Sequence, residues 1–307
     1  MSTVIVWFRN DLRLHDNESL TKALENYDQV IPFFCFDERL FTKTKYGFPK
    51  IGAHRASFLI ESVQNLKENL QSLGSNLVVR VGKSANHIKE LYEQCGAVAI
   101  YTQKEITSEE VMLECEVESA INVSITFFKG SFLFHPKDIP FDAGSIPEIF
   151  TSFRKKIEGK SFVRECYPTP NKINHLPQFI QIGSLPTLKN FTNDFPENDF
   201  RAVLMFKGGE EEAIKRLNHY FYETQELLDY KEKRNGLIGA NYSSKLSVWL
   251  SNGCISPRRI YWEIKKFEKE FRSNDSTYWL IFELIWRDFF KYTALKNGNK
   301  FFHSYGI

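Results

Sequence analysis

Val4-Ile5-Val6-Trp7-Phe8-Arg9-Asn10-Asp11-Leu12-Arg13-Leu14-His15-Asp16-Asn17 is the stretch that decides the fold. Its first five residues are apolar without alternation, the pattern of a strand buried on both faces. The charged run behind them, Arg9, Asp11, Arg13 and Asp16, reads as an ion-pair network fixing the loop after that strand, in preference to catalytic machinery. Four further Val-, Ile- and Phe-rich runs follow at 30–36, 77–81, 97–101 and 125–128. Helical patterns lie between them. The clearest covers 54–73, where Leu59, Val63, Leu66, Leu70 and Leu73 recur at spacings of four and three and Gly74 closes the helix. Strand, helix, strand in repetition predicts an α/β fold with a doubly wound parallel sheet over residues 1–130.

From 131 to 200 the periodicity fades. Eight of the eleven prolines, at 136, 140, 147, 168, 170, 177, 186 and 196, fall there and break any long element. This reads as a connector between two domains with one helix over 149–158. After Gly209 helical spacing takes over, at 210–228, 244–250, 257–271 and 277–295, so residues 201–307 read as an all-α unit.

With 307 residues, 42% hydrophobic and 15% aromatic, the chain is long enough for two cores and is not of disordered composition. Charge is uneven beneath a net +2: residues 201–307 hold 18 Lys+Arg against 13 Asp+Glu, a net of +5. That favours a polyanion partner for the helical unit, although an ordinary solvated surface has the same balance. Five scattered cysteines without a C-x-x-C pair read as buried reduced thiols of an intracellular, cytoplasmic protein. No run approaches the ~18 apolar residues of a membrane span, and the start lacks a signal-peptide pattern. Seven histidines show no ligand spacing with cysteine or acid, so no metal site is expected. Dinucleotide, P-loop, nucleophile-elbow and zinc-protease motifs are absent from the sequence.

Two helical segments carry chemistry. Asn241-Tyr242-Ser243-Ser244-Lys245-Leu246-Ser247-Val248-Trp249-Leu250 brings small hydroxyls, free backbone N–H groups and a lysine to a helix entrance, as an anion such as a diphosphate requires. The bland alternative is a serine N-cap. In Phe282-Glu283-Leu284-Ile285-Trp286-Arg287-Asp288-Phe289-Phe290, Glu283, Trp286, Arg287 and Phe290 stand at i, i+3, i+4 and i+7, on one face that could hold a flat aromatic ligand. Trp286 could equally be core, but an acid on the same face needs a partner if buried. Glu105, just past a strand's carboxyl end where open parallel sheets bind ligands, is also read either as a site residue or as a helix-start acid.

Together with Phe206-Lys207-Gly208-Gly209-Glu210 and the opening run, these segments resemble the photolyase/cryptochrome family of flavoproteins from one end of the chain to the other, and Ser243 to Ser247 resembles its DASH branch. The resemblance implies a Rossmann-like antenna domain followed by an incomplete all-α FAD-binding domain, since family members continue past the position matching Ile307. It implies FAD as cofactor, held by Tyr230, Ser243, Ser244, Lys245, Leu246, Ser247 and Arg287, and 5,10-methenyltetrahydrofolate as antenna near Glu105. Glu283 and Trp286 would hold the lesion and Arg234 the DNA backbone; taken singly, Tyr230 and Arg234 would be a solvated helix end. The implied activity is that of a deoxyribodipyrimidine photolyase: blue-light repair of cyclobutane pyrimidine dimers, in single-stranded DNA, by a monomer. The alternatives are a blue-light receptor without turnover and a truncated, non-catalytic product.

Overall fold

The computed structural model describes residues 2–121, 125–195 and 199–307; the connector proline at 196 lies outside the described residues. The first part runs β1 (Thr3–Trp7), α1 (Glu18–Asn26), β2 (Gln29–Asp37), α2 (Ala53–Ser72), β3 (Val78–Gly82), α3 (Ser84–Cys95), β4 (Ala99–Gln103), α4 (Ser108–Ala120) and β5 (Ile125–Phe128). All strand pairs are parallel, in the order β3-β2-β1-β4-β5. Successive residues of β1 enter opposite cores. Val4, Val6 and Phe8 pack with Leu20, Leu66 and Leu70, whereas Ile5 and Trp7 pack with Ile88, Leu91 and Val117. Coverage on both faces is why this strand could dispense with polar alternation. The expectation overreached at the edges: β3 and β5 are only partly buried.

The connector carries α5 (Phe150–Lys160). Beyond it come α6 (Glu210–Asn218), α7 (Tyr230–Lys233), α8 (Ser247–Ser251), α9 (Pro257–Glu270) and α10 (Asp275–Asn297). Two expected helices are corrected. The helix over 210–228 ends at Asn218 and widens into a π turn, His219–Glu223, before Gln225 at φ +51° and a short 3₁₀ turn. The wider turn lets both Tyr220 and Phe221 enter the core while Tyr222 packs on Phe267 and Phe271. The helix expected from 244 begins at Ser247, because Lys245 takes the left-handed conformation, φ +57°. No described helix is long and apolar enough to cross a membrane. Of the cysteines, Cys35 and Cys254 are buried, but Cys115 is exposed on α4.

Buried polar stitching fixes the helical part on the sheet part. Arg258 clamps Asp16 through two bonds of 2.6 and 3.0 Å, with both side chains almost fully buried. Leu14 N and His15 N donate to Glu210, and Asp288 on α10 accepts from Leu133 N and Phe134 N. Gly208 passes so close to α2 that a Cβ would lie 2.1 Å from Phe58 O; Gly253, at φ +68°, presses on Asn10 in the same way. The Phe206 to Glu210 motif is thus a seam, completed by Glu61 accepting from Gly208 N and Asn65 from Glu210 N.

Candidate functional site

The face of α10 opposite its seam gathers the expected lesion-binding residues. Asn274 caps this helix by accepting from Ser276 N and Thr277 N, so the 23-residue rod starts firmly. Glu283 finds the partner that its position demanded: Arg234, at the end of α7, meets it at 2.8 Å, both side chains about 30% exposed. The Arg234 guanidinium also lies 5.6 Å from the Trp279 ring, with Lys231 at 5.0 Å. Tyr230 is buried next to this pair; burial, with the Glu283 charge adding, pushes its phenol up to about 12. Trp286 is half-buried and stacks flat on Phe150 of α5, centroids 3.5 Å apart and planes 8° from parallel, with Phe290 at 5.6 Å. Phe150 backs one face of the indole, and Phe290 also lies near parallel to it, with planes 25° apart.

Arg287 departs from that group. Expected beside Glu283 and Trp286, it donates instead to Ser131 O at 2.7 Å and lines a cavity between the sheet and helical parts. Arg287 is about 100° round the helix from Trp286 though only about 40° from Glu283, so it sits at the edge of the face and its long side chain reaches away to Ser131. The cavity, about 310 Å³, also takes in Glu105, Gln103, Ser247 and Lys291. Three expected residues from two separately expected sites therefore share one space. Glu105 accepts from Asn10 Nδ2 at 3.2 Å and Gln103 Nε2 at 3.4 Å. Burial and then the like charge of Arg287 push the Lys291 ammonium well below its usual range. Ser131 Oγ lines the cavity, buried and without a partner among the described residues.

The serine-lined loop has anion-binding geometry. Left-handed Lys245 is followed by right-handed Leu246 (φ −69°, ψ −12°), the succession that turns consecutive N–H groups into one concavity. Leu246 is 2% exposed, so its side chain belongs to the core and only its N–H can serve the site. Ser244 is likewise buried, and the Lys245 ammonium rests 3.6 Å above the Tyr242 ring. Arg216, which braces this loop from α6, was missed by reasoning from sequence. Its signal was there: Ala213, Arg216, Leu217 and Tyr220 keep the spacing of an inward face, and an arginine does not belong on one without work to do.

A second cleft, about 330 Å³, opens at the carboxyl ends of β1 and β2, walled by Trp7, Arg9, Asp37, Arg39 and Arg55. Burial raises the Asp37 carboxyl, but hydrogen bonds from Arg39 and Ser84 outweigh it and hold the group at about 2. Only the neighbouring strand end had been singled out from sequence.

Comparison with known proteins shows the family. The DNA photolyase family matches residues 4–171. The chain belongs to that family. Similar proteins named cryptochrome DASH come from Gloeobacter violaceus (44% identical) and Xenopus laevis (45%), each aligned over 99% of this chain and over 61% and 59% of their own lengths. The crystal structure of the Synechocystis cryptochrome superposes with a TM-score of 0.94 at 44% identity, covering all of this chain and 64% of that one. The Sulfolobus tokodaii photolyase, crystallised with two FAD molecules, gives 0.73 at 25% identity over 98% of this chain and 61% of its own. The chain thus spans about three fifths of the length of these relatives. The DASH branch suggested by Ser243 to Ser247 is the one whose name the Gloeobacter and Xenopus relatives bear.

Proposed function

We propose that this chain holds the lesion- and cofactor-binding faces of a light-driven DNA repair enzyme that splits cyclobutane pyrimidine dimers in single-stranded DNA. In this reading residues 1–130 carry the antenna, 131–200 connect, and 201–307 hold flavin. The observation that carries the proposal is the 2.8 Å contact between Arg234 and Glu283, one helical turn from Trp286 and beside buried Tyr230. A cation for phosphate, a carboxyl for a pyrimidine edge and a ring for stacking then occupy one patch.

The residues fit the two organic groups. The Lys245–Leu246 turn offers N–H groups to the diphosphate of FAD, with Ser243 and Ser247 hydroxyls at its ends. The interdomain cavity offers Glu105, Gln103 and the orphan Ser131 hydroxyl to the amide-like edge of a methenyltetrahydrofolate, and Arg287 and Lys291 to its acidic tail. FAD, when bound and reduced, supplies the light-driven electron transfer. The protein's own part is geometric. Arg234 trades Glu283 for a backbone phosphate, which frees the carboxyl to accept from a pyrimidine N–H or, protonated, to donate to a carbonyl. Trp286, braced by Phe150, holds the extruded pair by stacking.

Blue illumination of the chain with reduced FAD and a thymine-dimer oligonucleotide tests the reading by dimer loss. Repair that requires light and FAD supports it. Bound, reduced FAD without dimer loss would sink it in favour of a receptor.

A further inference from the structure

We propose that Arg216 is the positioning residue of the anion-binding turn at 243–247: it orients the turn's peptides and supplies the buried charge that a bound diphosphate neutralises. Only the identity of the anion rests on the flavin reading. Arg216 is 5% exposed, on the inward side of α6. Its Nε donates to Ser244 O at 3.0 Å, one terminal nitrogen to Asn241 Oδ1 at 2.9 Å, and the other to Ala240 O at 3.0 Å and Ser243 O at 3.1 Å. The Tyr220 ring lies 5.1 Å from the guanidinium. Every acceptor is a neutral oxygen. The acids close by in sequence are taken, Glu212 by Lys215 and Glu226 by Lys233.

A guanidinium keeps its proton even where burial opposes the charge, so this is a buried cation with no carboxylate in hydrogen-bond contact among the described residues, although the Glu226 charge acts on it from a distance. Such charges are costly and are ordinarily paired. The geometry says where the counter-charge enters. The two ends of a trans peptide point in opposite directions. With Ser243 O and Ser244 O aimed at Arg216, the N–H groups of Ser244 and Lys245 are aimed away from it, and the left-handed to right-handed step turns the next N–H alongside. Lys245 N has only a 3.4 Å contact to Ser243 Oγ, and Ser244 N and Leu246 N donate to no other described group. Cation, carbonyl, N–H and anion thus fall in sequence, each peptide polarised so that its far end binds an anion better.

The test compares wild type with Arg216→Met and Arg216→Lys, titrating each with FAD, with riboflavin, which has no phosphate, and with inorganic pyrophosphate. Wild type should prefer FAD to riboflavin by about tenfold or more, a preference that charge-assisted bonds to the diphosphate would create. Arg216→Met should lose that preference and the pyrophosphate-induced rise in Tm, with riboflavin affinity unmoved. Arg216→Lys, charged but without the fork, should fall between. Unchanged FAD-to-riboflavin ratios in both variants would overturn the proposal while leaving the flavin reading intact. Pyrophosphate binding that depends on Arg216, without FAD binding, would do the reverse. A wild type that binds neither FAD nor pyrophosphate would overturn both. Should Arg216→Met fail to fold, the Lys variant decides alone: an unchanged ratio sinks the proposal.

Discussion

The sheet part and the helical part handle buried charge in opposite ways. In the sheet part, acids and bases close on one another: Glu114, fully buried, takes both Arg9 and Lys104, and Asp16 takes Arg258 across the seam. In the helical part Arg234 does close on Glu283, both partly in solvent, but the cations of the serine-lined loop and the cavity have no such partner within salt-bridge distance among the described residues. Arg216 leans on carbonyls, Lys245 on the Tyr242 ring, and Lys291 stands 5.2 Å from the Phe132 ring with Arg287 for a neighbour. A closed network spends its electrostatic attraction on holding the fold. An open one leaves attraction for a ligand, and the helical part is also the part with excess positive charge.

The comparison breaks first where a closed pair is opened. Arg258→Met leaves the Asp16 carboxylate buried without its counter-charge, with only the Tyr167 N–H still donating to it, and should cost about 3–5 kcal/mol in urea unfolding. A loss below ~1 kcal/mol would mean that the seam is not held by charge. Acid attacks the same seam next. Burial and then Arg259 hold His15 down at about 4, and Nε2 of that ring lies 2.9 Å from an Arg259 nitrogen. The unfolded chain takes up this proton near pH 6.5, the native one only near 4, so stability is full above about 6.5 and falls as pH drops to about 4, by up to ~3 kcal/mol. Burial, with Arg164, depresses His135 equally, to about 4, giving a second slope in the same window. His15→Gln should remove about half of the acid-side loss in a pH series of unfolding midpoints; an unaltered series would contradict the assignment.

The closed half was the legible half. Unalternating apolar runs could be read as buried strands because that follows from local pattern and burial. The Arg9 to Asp16 charges, contrary to expectation, do not pair with one another: Arg9 pairs with Glu114 and Asp16 with Arg258, partners supplied by distant segments, while Arg13 donates to the Gly253 and Asp16 carbonyls. Relations across the seam were less legible. Nothing in 210–228 announced a π turn, since two adjacent buried rings, Tyr220 and Phe221, are satisfied only by the packing that receives them. The start of α8 moved because one residue, Lys245, is left-handed without being glycine or asparagine. Arg287 and Glu105 were both singled out, but their sharing of one cavity depends on how the sheet and helical parts pack together, which no spacing records.

Within the helical part, the division between ring and charge can be sharpened. On the proposed repair function, Trp286→Ala should weaken binding of a dimer-bearing single strand by about 1–3 kcal/mol and of the undamaged strand by much less, because in that proposal the indole stacks on the lesion. Arg234→Ala should weaken both alike and flatten the salt dependence by about one phosphate contact. Equal losses from the two substitutions on both strands would erase the distinction.

The smallest effect belongs to the sheet part's surface. Arg39 meets Glu116 at 3.0 Å with both side chains well exposed, and meets the far less exposed Asp37 at 2.7 Å. Because solvent screens the outer contact, Glu116→Gln should change stability by less than ~0.5 kcal/mol at 0.15 M salt. Asp37→Asn should cost more, since that carboxyl also accepts from Ser84 N and Ser84 Oγ at 3.2 and 2.7 Å. It is the depth of the pair, and not the distance between its atoms, that decides its worth. If both substitutions prove equally mild in thermal unfolding, closure of charge at the Asp37 cleft is a surface pattern, and the contrast with the helical part reduces to the buried pairs of Arg9 with Glu114 and Asp16 with Arg258.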